Sequence, residues 1–203
     1  MTLIVASAIF AYLLGSIPSA VWYSKIFHGI DIRQHGSGNA GATNSLRIFG
    51  KKAGIIVLIF DLLKGFLAVY LAQYILKSDN ELIPLLMGIL AVLGHIYPIF
   101  AQFRGGKGVA TAIGVVVAVL PMAALGCIAV FLLTVYLTKY VSLGSILGAL
   151  AFPVQVSLKL WNNIADPYYI GLSWLFFFIL SYTHRENIQR LIKGTESKFG
   201  VKK

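Results

Sequence analysis

A glycine-rich loop at residues 35–47 carries the first side chains that could do chemistry. Its hydroxyl, amide and guanidinium groups belong to Ser37, Asn39, Thr43, Asn44 and Arg47. Glycine lets the backbone approach a ligand closely, and successive N–H groups can form an anion-binding concavity. A planar guanidinium also suits phosphate. Taken alone, this composition is more typical of a flexible loop, so a phosphate site here needs a second feature to support it.

A second glycine-rich loop supplies that support. Arg104, Gly105, Gly106, Lys107 and Gly108 directly precede an apolar segment that we predict to be helical. A helix N-terminus offers partial positive charge and N–H groups to a phosphate. The loop is not a nucleotide P-loop, because that motif requires Ser or Thr after the lysine. A turn with two basic residues is the alternative, but the two loops together favour phosphate binding.

A polar cluster near residue 184 is the third candidate. His184 and Asn187 are three residues apart and share a helix face. A histidine there could act as acid, base or phosphate ligand, whereas the alternative is an ordinary polar helix end. Asp61 and Lys64, also three apart, lie within an apolar segment and favour a structural ion pair. The scattered acids and the single cysteine give no metal-ligand spacing, so we predict no metal site.

The elements that position these residues are long apolar segments. The chain is 58% hydrophobic and only 12% charged, whereas soluble domains carry about 25% charged residues. Each membrane-spanning helix needs about 20 apolar residues. The candidates cover approximately residues 3–24, 54–76, 83–102, 109–138, 143–160 and 168–183. The fourth would reach about 45 Å as one helix, so it is either one tilted, kinked helix or two short helices that turn near Leu120–Met122, at Pro121. Two helices keep Lys139 and the basic tail on the same side as the basic loops, so the positive-inside rule favours this alternative.

The positive charge predicts the orientation. The net charge of +10 lies mainly in loops between apolar segments, which indicates membrane orientation rather than nucleic-acid binding. We expect an all-α, polytopic protein of about seven transmembrane helices, with the N-terminus outside, the C-terminus in the cytoplasm and the first apolar segment retained. Residues 1–193 would form one membrane domain, and residues 194–203 a polar, mobile tail.

These segments resemble the bacterial acyl-phosphate:glycerol-3-phosphate acyltransferase family. The resemblance covers nearly the whole chain, in the order of the family's motifs. It lies in the stretches 37–47, 94–98, 103–111, 140–145 and 184–187. It implies transfer of a fatty acyl group from acyl phosphate to the 1-hydroxyl of glycerol 3-phosphate, which yields lysophosphatidic acid and phosphate and begins phospholipid synthesis.

The resemblance also implies roles for individual residues. The residues expected in catalysis are Ser37, Arg47, Lys107, His184 and Asn187. The residues expected to bind substrate are Asn39, Thr43, Asn44, Arg104, Gly105, Gly106, Gly108, Ser142 and Ser145. Glu186 would be structural. The expected partners are glycerol 3-phosphate, long-chain acyl phosphate and membrane lipids, with no cofactor, metal, nucleic acid or obligate protein partner. The site would face the cytoplasm from the bacterial inner membrane.

Three questions stay open at the level of sequence. A phosphate-ester transporter is the main rival, although transporters bind near the bilayer midplane and often contain inverted repeats, and no repeat is visible here. A non-catalytic scaffold would leave three polar loops unexplained. The proton of the acceptor hydroxyl could pass to His184 or to the substrate phosphate.

Overall fold

The computed structural model describes residues 2–76, 82–160 and 167–200. Within these residues the chain forms ten α-helices and no strand, which confirms the predicted all-α class. The helices are α1 (Thr2–Gly15), α2 (Ser19–His28), α3 (Ala42–Phe49), α4 (Lys51–Leu76), α5 (Leu82–Ile96), α6 (Val109–Val119), α7 (Pro121–Thr138), α8 (Val141–Ser157), α9 (Pro167–Thr183) and α10 (Arg185–Ile192). Short 3₁₀ turns cover Ile32–Gln34 and Ile99–Ala101.

The helices pack into two compact units, one ending at Val119 and the other beginning at Leu120. This boundary falls inside the apolar segment 109–138. Helix α6 ends at Val119 and α7 begins at Pro121, with a non-helical Leu120 between them. Proline has no N–H to donate and disfavours helical geometry in the residue before it. The predicted break is confirmed, while the predicted reversal of chain direction stays a prediction.

The first apolar segment differs from the single helix predicted over residues 3–24. Helices α1 and α2 are bent by 44° at a break between Gly15 and Ser19. Pro18 explains the break, because it donates no N–H and restricts Ile17. At the break the Ile17 carbonyl accepts from the Ser19 N–H and from the Lys64 ammonium, each at 3.0 Å. The sequence prediction was therefore wrong about the continuity of this helix.

In the described part of the chain, three stretches are long and apolar enough to cross a membrane: Lys51–Leu76, Leu82–Ala101 and Pro121–Thr138. The bent pair α1 and α2 makes a fourth if it is one span, and α6 and α8 are shorter apolar helices. Large apolar side chains such as Leu132 and Leu137 on α7 are exposed, as expected for a helix in contact with lipid. The orientation predicted from charge would place Lys77, Asp79, Glu81 and Asp166 on the outer side of the membrane, and these four are not among the described residues.

Glycines bring neighbouring helices into backbone contact within each unit. A Cβ at Gly65 on α4 would collide with the carbonyl of Thr111 on α6. The spacing of Gly144 and Gly148 predicts the same kind of packing, and this is confirmed. A Cβ at Gly144 would lie 3.0 Å from the Phe131 carbonyl oxygen on α7. Small residues at such positions allow the close approach on which helix association in membranes depends.

Candidate functional site

The first loop, residues 29–41, is organised around the buried side chain of Asn44. Its amide nitrogen lies within hydrogen-bond distance of the carbonyls of Ile32, His35 and Asn39, at 3.3, 2.9 and 3.1 Å. Its amide oxygen accepts from the N–H of Ser37 at 3.0 Å. Because Asn44 is only 1% exposed and its amide is used in this way, it folds the loop. The contact of Asn44 with substrate that is expected from the sequence stays a prediction, and the structure adds this role in folding the loop.

The outward side chains of this region are the ones that a substrate can reach. Ser37 is exposed, and Asn39 and Thr43 are partly exposed. Arg47 lies in the last turn of α3, is exposed, and has no hydrogen bond or ion pair with any other described residue. The first loop therefore presents the Ser37 hydroxyl outward and α3 presents the Arg47 cation outward, while the buried Asn44 side chain holds the loop backbone.

The second loop, residues 102–108, is attached to the end of α5. The N–H of Gly105 donates to the Ile96 carbonyl at 3.1 Å, and the N–H of Gly106 donates to the His95 carbonyl at 3.2 Å. The end of α5 thus accepts hydrogen bonds from both of these N–H groups. A Cβ at Gly106 would collide with the His95 ring and lie 2.7 Å from the Ala40 carbonyl oxygen. These glycines permit close packing of the loop against α5 and the first loop.

The second loop carries two cations, and their positions depend on this packing. Arg104 is exposed and Lys107 is half-buried, on either side of the two packed glycines. Gly108 has a φ of +85°, a conformation that favours glycine, and helix α6 begins at the next residue. Along the chain, Arg104 is thus followed by Lys107 and then by the N-terminal turn of α6. This arrangement is suited to binding an anion.

His184 caps the start of α10 in the second unit and is 3% exposed. Its ring Nδ1 lies 2.8 Å from the carbonyl oxygen of Leu180. A carbonyl oxygen only accepts, so Nδ1 carries the hydrogen of this bond. In the neutral imidazole Nε2 then has the lone pair and is the nitrogen able to take up a proton.

Asn187, one turn further on, is held by the C-terminal tail. Its amide nitrogen donates to one oxygen of Glu196 at 2.8 Å, and the Arg190 Nε donates to the other at 2.7 Å. Burial raises the pKa of Glu196, but these hydrogen bonds outweigh it and hold the pKa below its usual value. The N–H of Phe199 donates to the Lys139 carbonyl at 2.7 Å. The described part of the tail therefore contacts α10 and the residue that follows α7, and the mobility of the tail stays a prediction.

The remaining predicted residues of the second unit lie on α8 and α10. Ser142 and Ser145 are buried at the start of α8, and the Ser145 hydroxyl donates to the Val141 carbonyl at 3.0 Å. Ser145 thus has a local partner within its own helix. The Glu186 carboxylate is 74% exposed and lies 3.9 Å from Arg190. An exposed pair of this kind contributes little to stability, so the strong partner of Arg190 is Glu196, not Glu186.

Comparison with known proteins identifies the family. The family model described as glycerol-3-phosphate acyltransferase matches residues 5–194. The chain belongs to this family. It is 43% identical over 191 residues to the glycerol-3-phosphate acyltransferase of Fusobacterium nucleatum, covering 94% of this chain and 95% of the relative. It is 46% identical over 196 residues to that of Bacillus subtilis, covering 97% of each.

Two solved structures resemble this acyltransferase over nearly its whole length. Both are of PlsY (YgiH), an integral membrane glycerol 3-phosphate acyltransferase, at 40% identity and 97% coverage of this chain. The TM-score is 0.89 for the glycerol 3-phosphate form and 0.86 for the lysophosphatidic acid form, with 96% and 95% of those chains covered. The present chain is thus an integral membrane acyltransferase of phospholipid biosynthesis.

A buried charge cluster lies beneath the second loop of the acyltransferase. The Asp61 Oδ1 atom lies 2.9 Å from the Lys64 ammonium and 3.4 Å from the His95 Nδ1, and it accepts from the Ser19 hydroxyl at 2.5 Å. The sequence predicted the pair of Asp61 with Lys64, but not its link to His95, whose ring packs against Gly106. Among the described residues, no group of three or more His, Cys, Asp or Glu side chains is placed to hold a metal ion.

Asp61→Asn is expected to destabilise the protein by about 3–5 kcal/mol, because it leaves the Lys64 ammonium buried without a counter-charge. Thermal and denaturant unfolding in detergent would measure the loss. The matched control is the double variant Asp61→Asn, Lys64→Met, which removes both charges and should recover part of the stability. A double variant no more stable than Asp61→Asn alone would contradict the ion-pair explanation.

Proposed function

We propose that the chain transfers a fatty acyl group from acyl phosphate to the 1-hydroxyl of glycerol 3-phosphate. The hydroxyl oxygen attacks the acyl carbonyl carbon, the bond between that carbon and the phosphate oxygen breaks, and inorganic phosphate leaves. The products are lysophosphatidic acid and phosphate. The observation that carries this proposal is the likeness, over 97% of the chain, to an acyltransferase solved in its glycerol 3-phosphate and lysophosphatidic acid forms.

The first unit supplies the cations for two phosphate-bearing substrates. Arg47, Arg104 and Lys107 are expected to neutralise the bound and leaving phosphates, and Ser37 to hydrogen-bond a substrate oxygen. Asn39 and Thr43 are expected to add further polar contacts. Because an acyl phosphate is an activated mixed anhydride, alignment and charge stabilisation account for most of the catalysis that this mechanism needs. Gly105, Gly106 and Gly108 contribute by fixing the backbone that carries Lys107.

His184 is the side chain that we expect to be able to accept the proton. The Leu180 carbonyl fixes the His184 ring with its hydrogen on Nδ1, which makes Nε2 the basic nitrogen. Asn187 is oriented by Glu196, and Ser142 lies buried at the start of α8. The proton of the acceptor hydroxyl can pass to His184 or to the leaving phosphate, which becomes more basic as its bond to carbon breaks.

The reaction itself is tested with purified protein, acyl phosphate and labelled glycerol 3-phosphate. The expected result is lysophosphatidic acid and inorganic phosphate in equal amounts. Protein reconstituted in sealed vesicles distinguishes an acyltransferase from the rival function, a phosphate-ester transporter. Movement of glycerol 3-phosphate into the lumen without acyl transfer would support a transporter and overturn the proposal.

We further propose that the N-terminus lies outside, that the C-terminus is cytoplasmic, and that about seven spans place the site on the cytoplasmic side of the bacterial inner membrane. Basic residues of both loops and of the tail would then face the cytoplasm, as the positive-inside rule requires. The expected partners stay glycerol 3-phosphate, acyl phosphate and membrane lipids.

Cysteine labelling from each side of the membrane tests this orientation. Gln34→Cys in the first loop and Ser197→Cys in the tail are expected to react only from the cytoplasmic side, and Ser157→Cys only from outside. All three positions are exposed, whereas the native Cys127 is buried and is a suitable unreactive background. Labelling of Ser197→Cys from outside would overturn the proposed turn between α6 and α7.

Arg47→Lys is expected to lower kcat/KM by about tenfold or more, because lysine keeps the charge but loses the planar fork that binds phosphate at two points. Steady-state kinetics with both substrates would measure the loss. Lys52→Ala, an exposed cation on the first turn of α4, is the control for simple loss of positive charge. Full activity of Arg47→Lys would show that Arg47 acts only through its positive charge and does not bind phosphate at two points.

A further inference from the structure

Two adjacent residues in the second loop adopt an unusual backbone conformation. Gln102 has a φ of +56° and Phe103 a φ of +58°, in the left-handed region that residues with a Cβ rarely occupy. Such strain persists only where surrounding contacts over-determine the backbone, and it concentrates at functional sites. Because these residues directly precede Arg104, their conformation sets the direction in which the loop continues.

Arg33, from the first loop, contacts the backbone on both sides of this strained pair. Its Nη1 atom donates to the Ala101 carbonyl at 2.8 Å and to the Arg104 carbonyl at 3.3 Å. One guanidinium nitrogen thus spans the turn formed by Gln102 and Phe103. The Arg104 N–H also donates to the Ala101 carbonyl at 3.2 Å, which closes the same turn from within.

Asp31 holds Arg33 in place. The Arg33 Nε donates to Oδ1 at 2.9 Å and Nη2 donates to Oδ2 at 2.6 Å, a two-point pairing. The hydrogen bond from the Arg33 side chain lowers the pKa of Asp31 to about 2, so the carboxylate stays charged across the physiological range. The two side chains are only 16–18% exposed. Each nitrogen of the guanidinium therefore has a protein partner already.

We propose that Arg33, oriented by Asp31, is a positioning residue that holds the second loop in the conformation that binds phosphate. It acts through the carbonyls of Ala101 and Arg104, and does not itself bind the substrate. Beyond Arg104, the N–H groups of Gly105 and Gly106 join the end of α5, and Lys107 follows. The inference rests on the proposed function, in which this loop binds the phosphate of glycerol 3-phosphate.

The chain offers a matched control for this clamp. The Lys25 ammonium lies 3.9 Å from the same Asp31 carboxylate, and the Lys25 side chain is 57% exposed. Lys25→Gln therefore removes a cation paired with Asp31 and leaves the contacts of Arg33 with the second loop intact. Arg33→Gln removes those contacts, and Arg33→Lys keeps the charge but loses the fork.

Hydrogen exchange tests the positioning directly, without using activity. In Arg33→Gln, amide exchange in residues 102–108 is expected to rise by about tenfold or more, because the charged hydrogen bonds that restrain the loop are lost. Arg33→Lys should show an intermediate increase, and Lys25→Gln none. Unchanged exchange of this segment in Arg33→Gln would overturn the proposal.

Kinetics then tests the functional consequence. Arg33→Gln is expected to raise the KM for glycerol 3-phosphate about tenfold while kcat and the thermal midpoint change little, and Lys25→Gln should match the wild type. Lys107→Met is measured beside them to separate the two proposals. A raised KM in Lys107→Met with a wild-type KM in Arg33→Gln overturns the clamp alone. A wild-type KM in Lys107→Met removes the second loop from phosphate binding, so that the proposed site itself fails.

Discussion

Gly106→Ala is expected to lower kcat/KM for glycerol 3-phosphate by about 10²-fold, chiefly through a higher KM. The new Cβ would collide with the His95 ring and lie 2.7 Å from the Ala40 carbonyl oxygen. The His95 ring is held by a buried carboxylate and Ala40 belongs to the first loop, so the second loop has to move instead. A shift of about 1 Å at a positioned group can cost this much in rate.

Steady-state kinetics with each substrate varied in turn would measure this effect. Gly171→Ala is the matched control, because a Cβ at Gly171 on α9 would meet nothing within 4 Å, and alanine is the better helix former. That control should retain wild-type kinetics and stability. A wild-type KM in Gly106→Ala would show that the loop accommodates the Cβ without displacing its cations, and would remove Gly106 from the proposed site.

The helical class was predictable because it depends on a local property, the length of apolar segments. The length of segment 109–138 and Pro121 predicted either a kink or a break between α6 and α7, and the distribution of basic residues favoured the break. The break at Pro18 was missed, because the surrounding segment is apolar enough to suggest one helix. One of the hydrogen bonds at this break comes from Lys64, a residue 47 positions further along the chain.

The residue types of the candidate site could be predicted from the sequence, but not which of these residues hold the loops in place. Asn44 was expected to contact substrate, as an amide in a glycine-rich loop, yet its amide folds that loop. The N–H groups of Gly105 and Gly106 donate to carbonyls at the end of α5. These hydrogen-bond partners depend on how the loop packs against α5, which the composition of the loop does not reveal. Arg33 looked like one more basic loop residue, because its partner Ala101 lies 68 residues away.

The acyl donor is expected to be acyl phosphate, with activity roughly 10²- to 10⁴-fold lower for an acyl thioester, the range that a general base contributes. A thioester is less activated and gains more from a histidine that a carboxylate orients. One candidate for such an arrangement is His95, whose ring lies close to the Asp61 carboxylate. That histidine is 6% exposed, shares Asp61 with Lys64 and packs against Gly106. Its contacts therefore serve to hold the loop in place, and we do not expect this pair to deprotonate the acceptor hydroxyl.

The donor prediction is tested with purified protein, labelled glycerol 3-phosphate and one donor at a time, each with the same acyl chain. Lysophosphatidic acid is expected from acyl phosphate and at most a trace from acyl-coenzyme A or acyl-carrier protein. Adding acyl phosphate to each inactive mixture at the end is the control, because restored product shows that the enzyme was competent throughout. Comparable product formation from acyl-coenzyme A would refute the donor assignment. It would also mean that the Asp61–His95 pair, or His184 with a partner of its own, deprotonates the acceptor hydroxyl.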